Sequence, residues 1–308
     1  MTAVISASHL SKYYGNVLGL NDVSLEIEAG ITGFLGPNGA GKSTFMKLAT
    51  GQMKPNIGTV AIRGRRTWNS PAIFRSIGFC PEADAFYEDM TGFEFLAGLL
   101  RFYGFSGKEI GERAARALDI VELAKDKDRL IRGYSRGMRQ RVKFAQAIAH
   151  DPEVIILDEP LSGLDPLGKR KLIKLIKGFK DEGRTVLVSS HVLPEIEALT
   201  SRVILIHQGK VLAEGDVPYI RDLIEAHPHM ISIRSSDPRA LAARFVGDPS
   251  VLKMTFGPDG RTLVVETRKR DDIFGRLAPV VLVAGIEVDE ISSPDDNLGA
   301  VFEYLVGK

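Results

Sequence analysis

The stretch Gly36-Pro-Asn-Gly-Ala-Gly-Lys-Ser-Thr44 decides how this chain reads. It satisfies the pattern G-x-x-x-x-G-K-[ST], and the fixed positions have physical reasons. Gly36, Gly39 and Gly41 let the backbone bend so that successive N–H groups converge on a phosphate-sized hollow. Pro37, Asn38, Ala40 and Thr44 complete that predicted cradle. Lys42 is a compact cation for β- and γ-phosphate oxygens, and the Ser43 hydroxyl is a candidate Mg²⁺ ligand. The flanks agree. Gly30 to Leu35 reads as a buried strand, and Ser43 to Thr50 as the start of a helix whose N-terminal dipole favours an anion. A glycine-rich turn that binds nothing is disfavoured by a full pattern set between a strand and a helix.

Outward from this loop, strands and helices alternate. Val4-Ile5, Val23 to Ile27 and Gly58 to Ile62 have strand-like alternation, while Asn21-Asp22 and Lys54-Pro55-Asn56 mark turns. A helical region is predicted from Thr91 to about Ala124. Then follow the strand VIILD (154–158), a helix through LGKRKLIKLIKGFKDEG, the strand TVLVSS (185–190) and the strand-like VILIHQGKVLAEG (203–215). This order predicts a mostly parallel sheet in an α/β layered fold. A proline-containing linker near Glu225 divides residues 1–224 from 225–308. The tail reads as strand Met230 to Arg234, helix Pro238 to Phe245, a hairpin around GPDG, helix Asp271 to Val283 and strand Ile286 to Ile291. That βαββαβ order predicts a small ferredoxin-like α+β domain, with a last helix around Leu298 to Val306.

The 308 residues suit about two domains, with 44% hydrophobic and 26% charged residues, as in globular proteins. Forty basic and 39 acidic residues leave a net charge of +1, so no nucleic-acid partner is expected. The single cysteine, Cys80, reads as a buried structural thiol and suits a reducing compartment. The longest apolar run, Leu277 to Ile286, is about half of what a bilayer span needs, and the N-terminus lacks a signal-peptide pattern.

Further motifs carry chemistry. In VIILDEP the carboxylate of Asp158 lies at the C-terminal edge of a buried strand, where ligands sit in open α/β sheets, and it can hold Mg²⁺. Glu159 can polarise a water as general base. In YSRGMRQR (134–141), Ser135 is a good N-cap and Gly137 allows close approach of a ligand. SGLD (162–165) and His191 are weaker signals by themselves: a lone histidine after a strand is more often structural or solvated.

Taken in order, these motifs resemble the ATP-binding subunit of an ABC transporter, over roughly residues 4–220. GPNGAGKST matches its Walker A, YSRGMRQR its signature loop, VIILDEP its Walker B, SGLD with Asp165 its D-loop and His191 its switch histidine. Tyr14 matches the aromatic that stacks on adenine, and Glu82 occupies the Q-loop position. The resemblance implies a P-loop NTPase core of ABC type, a mixed sheet with a helical subdomain at about 84–150. It implies ATP and Mg²⁺ as cofactors, Ser43, Glu82 and Asp158 on the metal, and Lys42, Glu159 and His191 in hydrolysis. It also implies a second ATP-binding subunit in a head-to-tail sandwich, and a transmembrane permease that holds the chain at the cytoplasmic face of the membrane. Ser135 and Gly137 would then face the other subunit's Walker A.

Two departures stand out: Glu82 replaces the usual glutamine, and Tyr134, Arg136 and Met138 replace residues of LSGGQ. Both are familiar among ATPases of ABC-2-type exporters, so export is the expected direction. A soluble ABC-type ATPase acting on ribosomes or DNA is the alternative. A single P-loop and the absence of sustained heptads between Gln52 and Gly133 weigh against it. Phe86, Tyr87 and Phe93 are candidates for docking a membrane partner, with core packing as the equal alternative.

Overall fold

A computed structural model describes residues 3–220 and 229–293. The chain divides into two compact units, Met1–Val217 and Pro218–Lys308.

The first unit contains two sheets. Strands β1 (Ile5–Tyr14), β2 (Val17–Ile27), β4 (Ile57–Ile62) and β5 (Arg65–Arg66) form an antiparallel sheet in the order β2-β1-β4-β5. The central sheet has the order β10-β9-β3-β8-β7-β6. It is built from β3 (Ile31–Leu35), β6 (Ile77–Cys80), β7 (Val154–Leu157), β8 (Thr185–Ser190), β9 (Arg202–His207) and β10 (Lys210–Asp216). All its pairs are parallel except β9–β10, a hairpin closed by Gln208 and Gly209, both at positive φ. Strands β3, β7 and β8 are buried at every position, as strands of a parallel sheet covered on both faces are, and only β7 is apolar throughout.

Helix α1 (Lys42–Ala49) follows β3, and α5 (Pro166–Asp181) and α6 (Leu193–Glu197) flank β8. Between β6 and β7 the chain inserts α2 (Gly92–Phe102), α3 (Gly107–Ile120) and α4 (Arg136–Ile148). Thr91 starts α2 with a capping box: its hydroxyl accepts from Glu94 N (3.1 Å), and the Glu94 carboxylate accepts from Thr91 N (2.9 Å). These bonds, the backbone one foremost, hold the Glu94 carboxyl below the usual carboxylate range. Gly104, at φ +86°, breaks the helical region predicted from Thr91 to Ala124 into α2 and α3.

Asn21-Asp22 is not the turn that its composition suggests. Both residues lie inside β2, where the pairing with β1 shifts register. Asp22 adopts φ +51° in an irregular stretch of ladder. Its N–H donates to Ser11 Oγ (2.9 Å), and its carboxylate accepts from His9 Nδ1 (2.8 Å). These bonds across the sheet keep a turn-favouring pair within a strand.

His150, after α4, is buried and stacks on Tyr103 with ring centroids 3.9 Å apart. Its Nε2 donates to Ile77 O at 2.9 Å, and no described group pairs with Nδ1. Burial is the main cause that pushes its pKa from 6.5 down to about 4. The unfolded chain therefore takes up this proton first, so the stability linked to His150 is full above pH 6.5 and is lost as pH falls toward 4. Chemical denaturation of wild type and His150→Phe at two pH values checks this. Between pH 7 and pH 4.5 the wild type should lose roughly 2–3 kcal/mol more than the variant.

The second unit runs β11 (His229–Ser235), α7 (Pro238–Phe245), β12 (Val251–Phe256), β13 (Thr262–Thr267), α8 (Arg270–Ala284) and β14 (Val288–Ser292). Its sheet is antiparallel in the order β12-β13-β11-β14, the arrangement of a ferredoxin-like βαββαβ domain. Its core comprises Ile231, Ile233, Leu241, Phe245, Leu263, Val265, Ile273 and Leu277. The predicted boundary at 224/225 and the predicted helix Leu298 to Val306 lie outside the described residues.

Candidate functional site

The loop between β3 and α1 can be built only with glycine at two positions. A Cβ on Gly36 would lie 2.3 Å from Ile206 O, and one on Gly41 would lie 2.7 Å from Gly19 O. Gly41 also sits at φ +107° as the N-cap of α1. Among the described residues, no group accepts a hydrogen bond from the amides of Asn38, Gly39, Gly41, Lys42, Ser43 or Thr44. Six donors at one helix start thus remain for an anion. Lys42 is buried, and its ammonium donates to Gly36 O (2.6 Å) and Pro37 O (3.1 Å).

Two adjacent acids meet this loop from β7. Asp158 N donates to Cys80 O (2.9 Å), which carries the β6–β7 pairing one residue past the strand. The Asp158 carboxylate is buried and accepts from Ser189 Oγ at 2.7 Å. Glu159 turns away into the left-handed region at φ +48°, and its N–H donates to the same Ser189 Oγ at 2.8 Å. Its buried carboxylate lies 3.3 Å from Lys42 Nζ, and both of its oxygens accept from His191 Nδ1 at 3.1 Å. Lys42, Asp158, Glu159 and His191 are therefore brought together by three neighbouring strands, β3, β7 and β8.

An open cleft of about 480 Å³ is lined by Asn38 to Thr44 together with Glu82, Glu159, Tyr14, Leu18 and Gly19. The Tyr14 hydroxyl donates to Met53 Sδ (3.1 Å) and accepts from Thr44 Oγ1 (3.3 Å), which leaves its ring partly exposed. Ser135, Gly137 and Asp165 lie elsewhere. They line a second cleft with Arg141, Gly163 and Leu164, and the two clefts share no lining residue. Ser135 caps α4, accepting from Met138 N (3.3 Å), and Asp165 caps α5, accepting from Gly168 N (2.9 Å).

The ABC transporter family model matches residues 20–162. Over its whole length the chain is 32% identical to the bacitracin transport ATP-binding protein BcrA of Bacillus licheniformis, covering 98% of that protein. It is 31% identical over 99% of its length to the daunorubicin/doxorubicin resistance ATP-binding protein DrrA of Streptomyces peucetius, covering 93% of it. This chain belongs to the ABC transporter ATP-binding proteins. Structural likeness agrees. A dimeric bacterial ABC transporter cassette matches with a TM-score of 0.65 at 29% identity, over 69% of this chain and 98% of that one. The same cassette in a post-hydrolysis state with ADP and Pi matches with a TM-score of 0.64 at 28% identity, over the same shares. The chain is accordingly an ABC-type ATPase of P-loop α/β fold that binds ATP.

Three features of this ABC ATPase escape a reading of its sequence. Ser189 reads as one more residue of an apolar strand, yet it bonds to both acids. Lys143, in the middle of α4, is buried; it donates to Glu82 O (2.5 Å) and pairs with Asp84 (3.0 Å), tying the Glu82 segment to the helix that Ser135 caps. Gln140 donates to Pro160 O (2.8 Å), anchoring the same helix beside Glu159. Only the polar character of these positions within apolar-periodic segments could have signalled them.

The aromatic trio after Glu82 divides. Phe86 packs edge-on to Phe95 with centroids 5.3 Å apart, and Phe93 packs against the same core, whereas Tyr87 is 69% exposed. Cys80 is fully buried, and desolvation pushes its thiol up to about 12, so it is no nucleophile.

Proposed function

We propose that this ATPase powers export through a separate membrane permease, working as one half of a head-to-tail pair of ATP-binding subunits. The observation that carries the reading is the cleft in which six unpaired amides and the Lys42 ammonium face the Asp158–Glu159–His191 cluster. In this reading those six amides and the Lys42 ammonium hold the phosphates, and Tyr14 supports the adenine at the rim. Glu159 takes the proton of the attacking water, and His191, bonded to both its oxygens, keeps the carboxylate oriented. Catalysis is then mostly positioning and charge stabilisation by groups already in place.

Ser43 and Asp158 would hold Mg²⁺, with Glu82 reaching it directly or through water. The donor set suits that ion: hard oxygens, with the Asp158 carboxylate bonded to Ser189 through Oδ1 and hydrogen-bonded through Oδ2 to no group among the described residues. Among the described residues no group of three or more acidic, histidine or cysteine side chains could hold a metal alone, so the ion would need phosphate and water oxygens as well. When bound, Mg²⁺ neutralises charge developing on the phosphates.

Separation of the two clefts supports the paired arrangement. In one chain Ser135 and Gly137 line no part of the Walker A cleft, so a second subunit would bring them to the γ-phosphate. Among the described residues no helix is long and apolar enough to cross a membrane, so the permease would be another chain, with this subunit at its cytoplasmic side. Tyr87, exposed after Glu82, is the aromatic best placed to meet it. Relatives named for bacitracin transport, drug resistance and Nod factor export support the outward direction.

Mixed dimers test the pairing. Ser135→Arg and Lys42→Ala proteins, each inactive alone, should regain part of the activity when mixed and allowed to exchange. In a composite arrangement one site collects both lesions and the other none. If each site were built within one subunit, every site would keep one lesion. Absence of rescue, with mixed dimers verified by mass spectrometry, would overturn the sandwich.

A further inference from the structure

We infer that Ser189 is a positioning residue for ATP hydrolysis, its one hydroxyl fixing both the metal-holding carboxylate of Asp158 and the strained backbone of Glu159. The inference rests on the reading of the site proposed above. Ser189 is fully buried near the end of β8, between Phe34 of β3 and the extension of β7. A serine hydroxyl has one proton to donate and lone pairs to accept with. Here the proton goes to Asp158 Oδ1 at 2.7 Å, and the oxygen accepts the Glu159 N–H at 2.8 Å. Both partners are themselves buried, so neither can turn to bulk water instead.

Each bond has a distinct consequence. The bond to Oδ1 selects one rotamer of Asp158 and leaves Oδ2 for a cation. The bond to the amide holds Glu159 at φ +48°, a region that residues with a Cβ avoid. In that conformation the backbone leaves the line of β7, and the Glu159 side chain reaches Lys42 and His191. Alanine would keep the strand and lose both bonds; threonine would keep the hydroxyl on the same carbon.

The experiment compares wild type, Ser189→Ala and Ser189→Thr in the full-length chain. It measures Mn²⁺ affinity by electron paramagnetic resonance with a non-hydrolysable ATP analogue, analogue affinity in EDTA, and kcat. Ser189→Ala should lower Mn²⁺ affinity and kcat each by roughly 10–100-fold, the usual cost of losing a group that orients a ligand, with analogue affinity in EDTA within about twofold. Ser189→Thr should stay within about fivefold of wild type in all three. Wild-type-like Mn²⁺ affinity and kcat in Ser189→Ala would overturn the inference, as would equal losses in both variants. Should the alanine protein fail to fold by circular dichroism, Ser189→Cys replaces it: similar in size but a weak donor, it should lose Mn²⁺ affinity, and an unchanged value overturns the inference. Asp158→Asn, run in parallel, separates the levels. If it leaves Mn²⁺ affinity intact, the reading of the site fails and the inference with it. If it loses Mn²⁺ while Ser189→Ala does not, the inference alone fails.

Discussion

Glu159→Gln is expected to bind ATP and to hydrolyse it ~10²–10⁴-fold more slowly, the usual cost of removing a general base. The substitution keeps the size of the side chain and one oxygen for His191 Nδ1, which now bonds to both carboxylate oxygens at 3.1 Å. It removes the negative charge that makes Glu159 a base, and with it the 3.3 Å ion pair to Lys42. A loss confined to chemistry should show as a fall in the single-turnover rate with the equilibrium affinity for ATP retained. Single-turnover hydrolysis within about twofold of wild type would remove Glu159 from this role.

Lys42→Ala should weaken Mg-ATP binding by roughly 10–100-fold and abolish measurable turnover, because hydrogen bonds from a charged donor contribute ~1.5–3 kcal/mol each to the ground state. Titration calorimetry on the purified subunit reads the affinity, and an unchanged Kd would contradict the cradle. The substitution should also destabilise the free protein. Lys42 and Glu159 are both about 95% buried, and removing one member of a buried pair leaves the other charge uncompensated, at a cost of ~3–5 kcal/mol. In the Glu159→Gln background that charge is gone, so the same Lys42→Ala change should cost markedly less. Urea denaturation of the four proteins in this cycle checks the coupling. Equal costs in both backgrounds would mean that the ion pair contributes nothing to stability.

Much of this protein is legible locally. The free amides of the GPNGAGKST loop follow from its place at the start of a helix, so residues 36–44 alone suggest an anion site. The unbroken apolar run of β7 marks a strand covered on both faces. The βαββαβ order of the second unit was equally readable, because its turns are made by neighbours: Asp259 accepts from Arg261 N and from Thr262 N and Oγ1 within one tight loop.

What local reading misses depends on partners far along the chain. Asn21-Asp22 has turn chemistry, but Ser11 and His9 on the adjacent strand hold it as an irregularity inside β2. Phe86, Tyr87 and Phe93 are alike as sequence, and only packing against the helices of the first unit separates two partly buried rings from one exposed ring. Ser189 is one more small residue at the end of a buried strand until the parallel pairing of β8 with β7 sets its hydroxyl against two acids from a segment 30 residues earlier. Sequence by itself determined the family and singled out residues 36–44, Asp158 and Glu159 as the proposed site, because that reading rests on backbone geometry and on residue chemistry within a few positions. The tertiary structure alone decided which side chains bond to those acids, and that Ser135 lines a different cleft from residues 38–44, because both depend on the register and spacing of strands that the chain joins only through long crossovers.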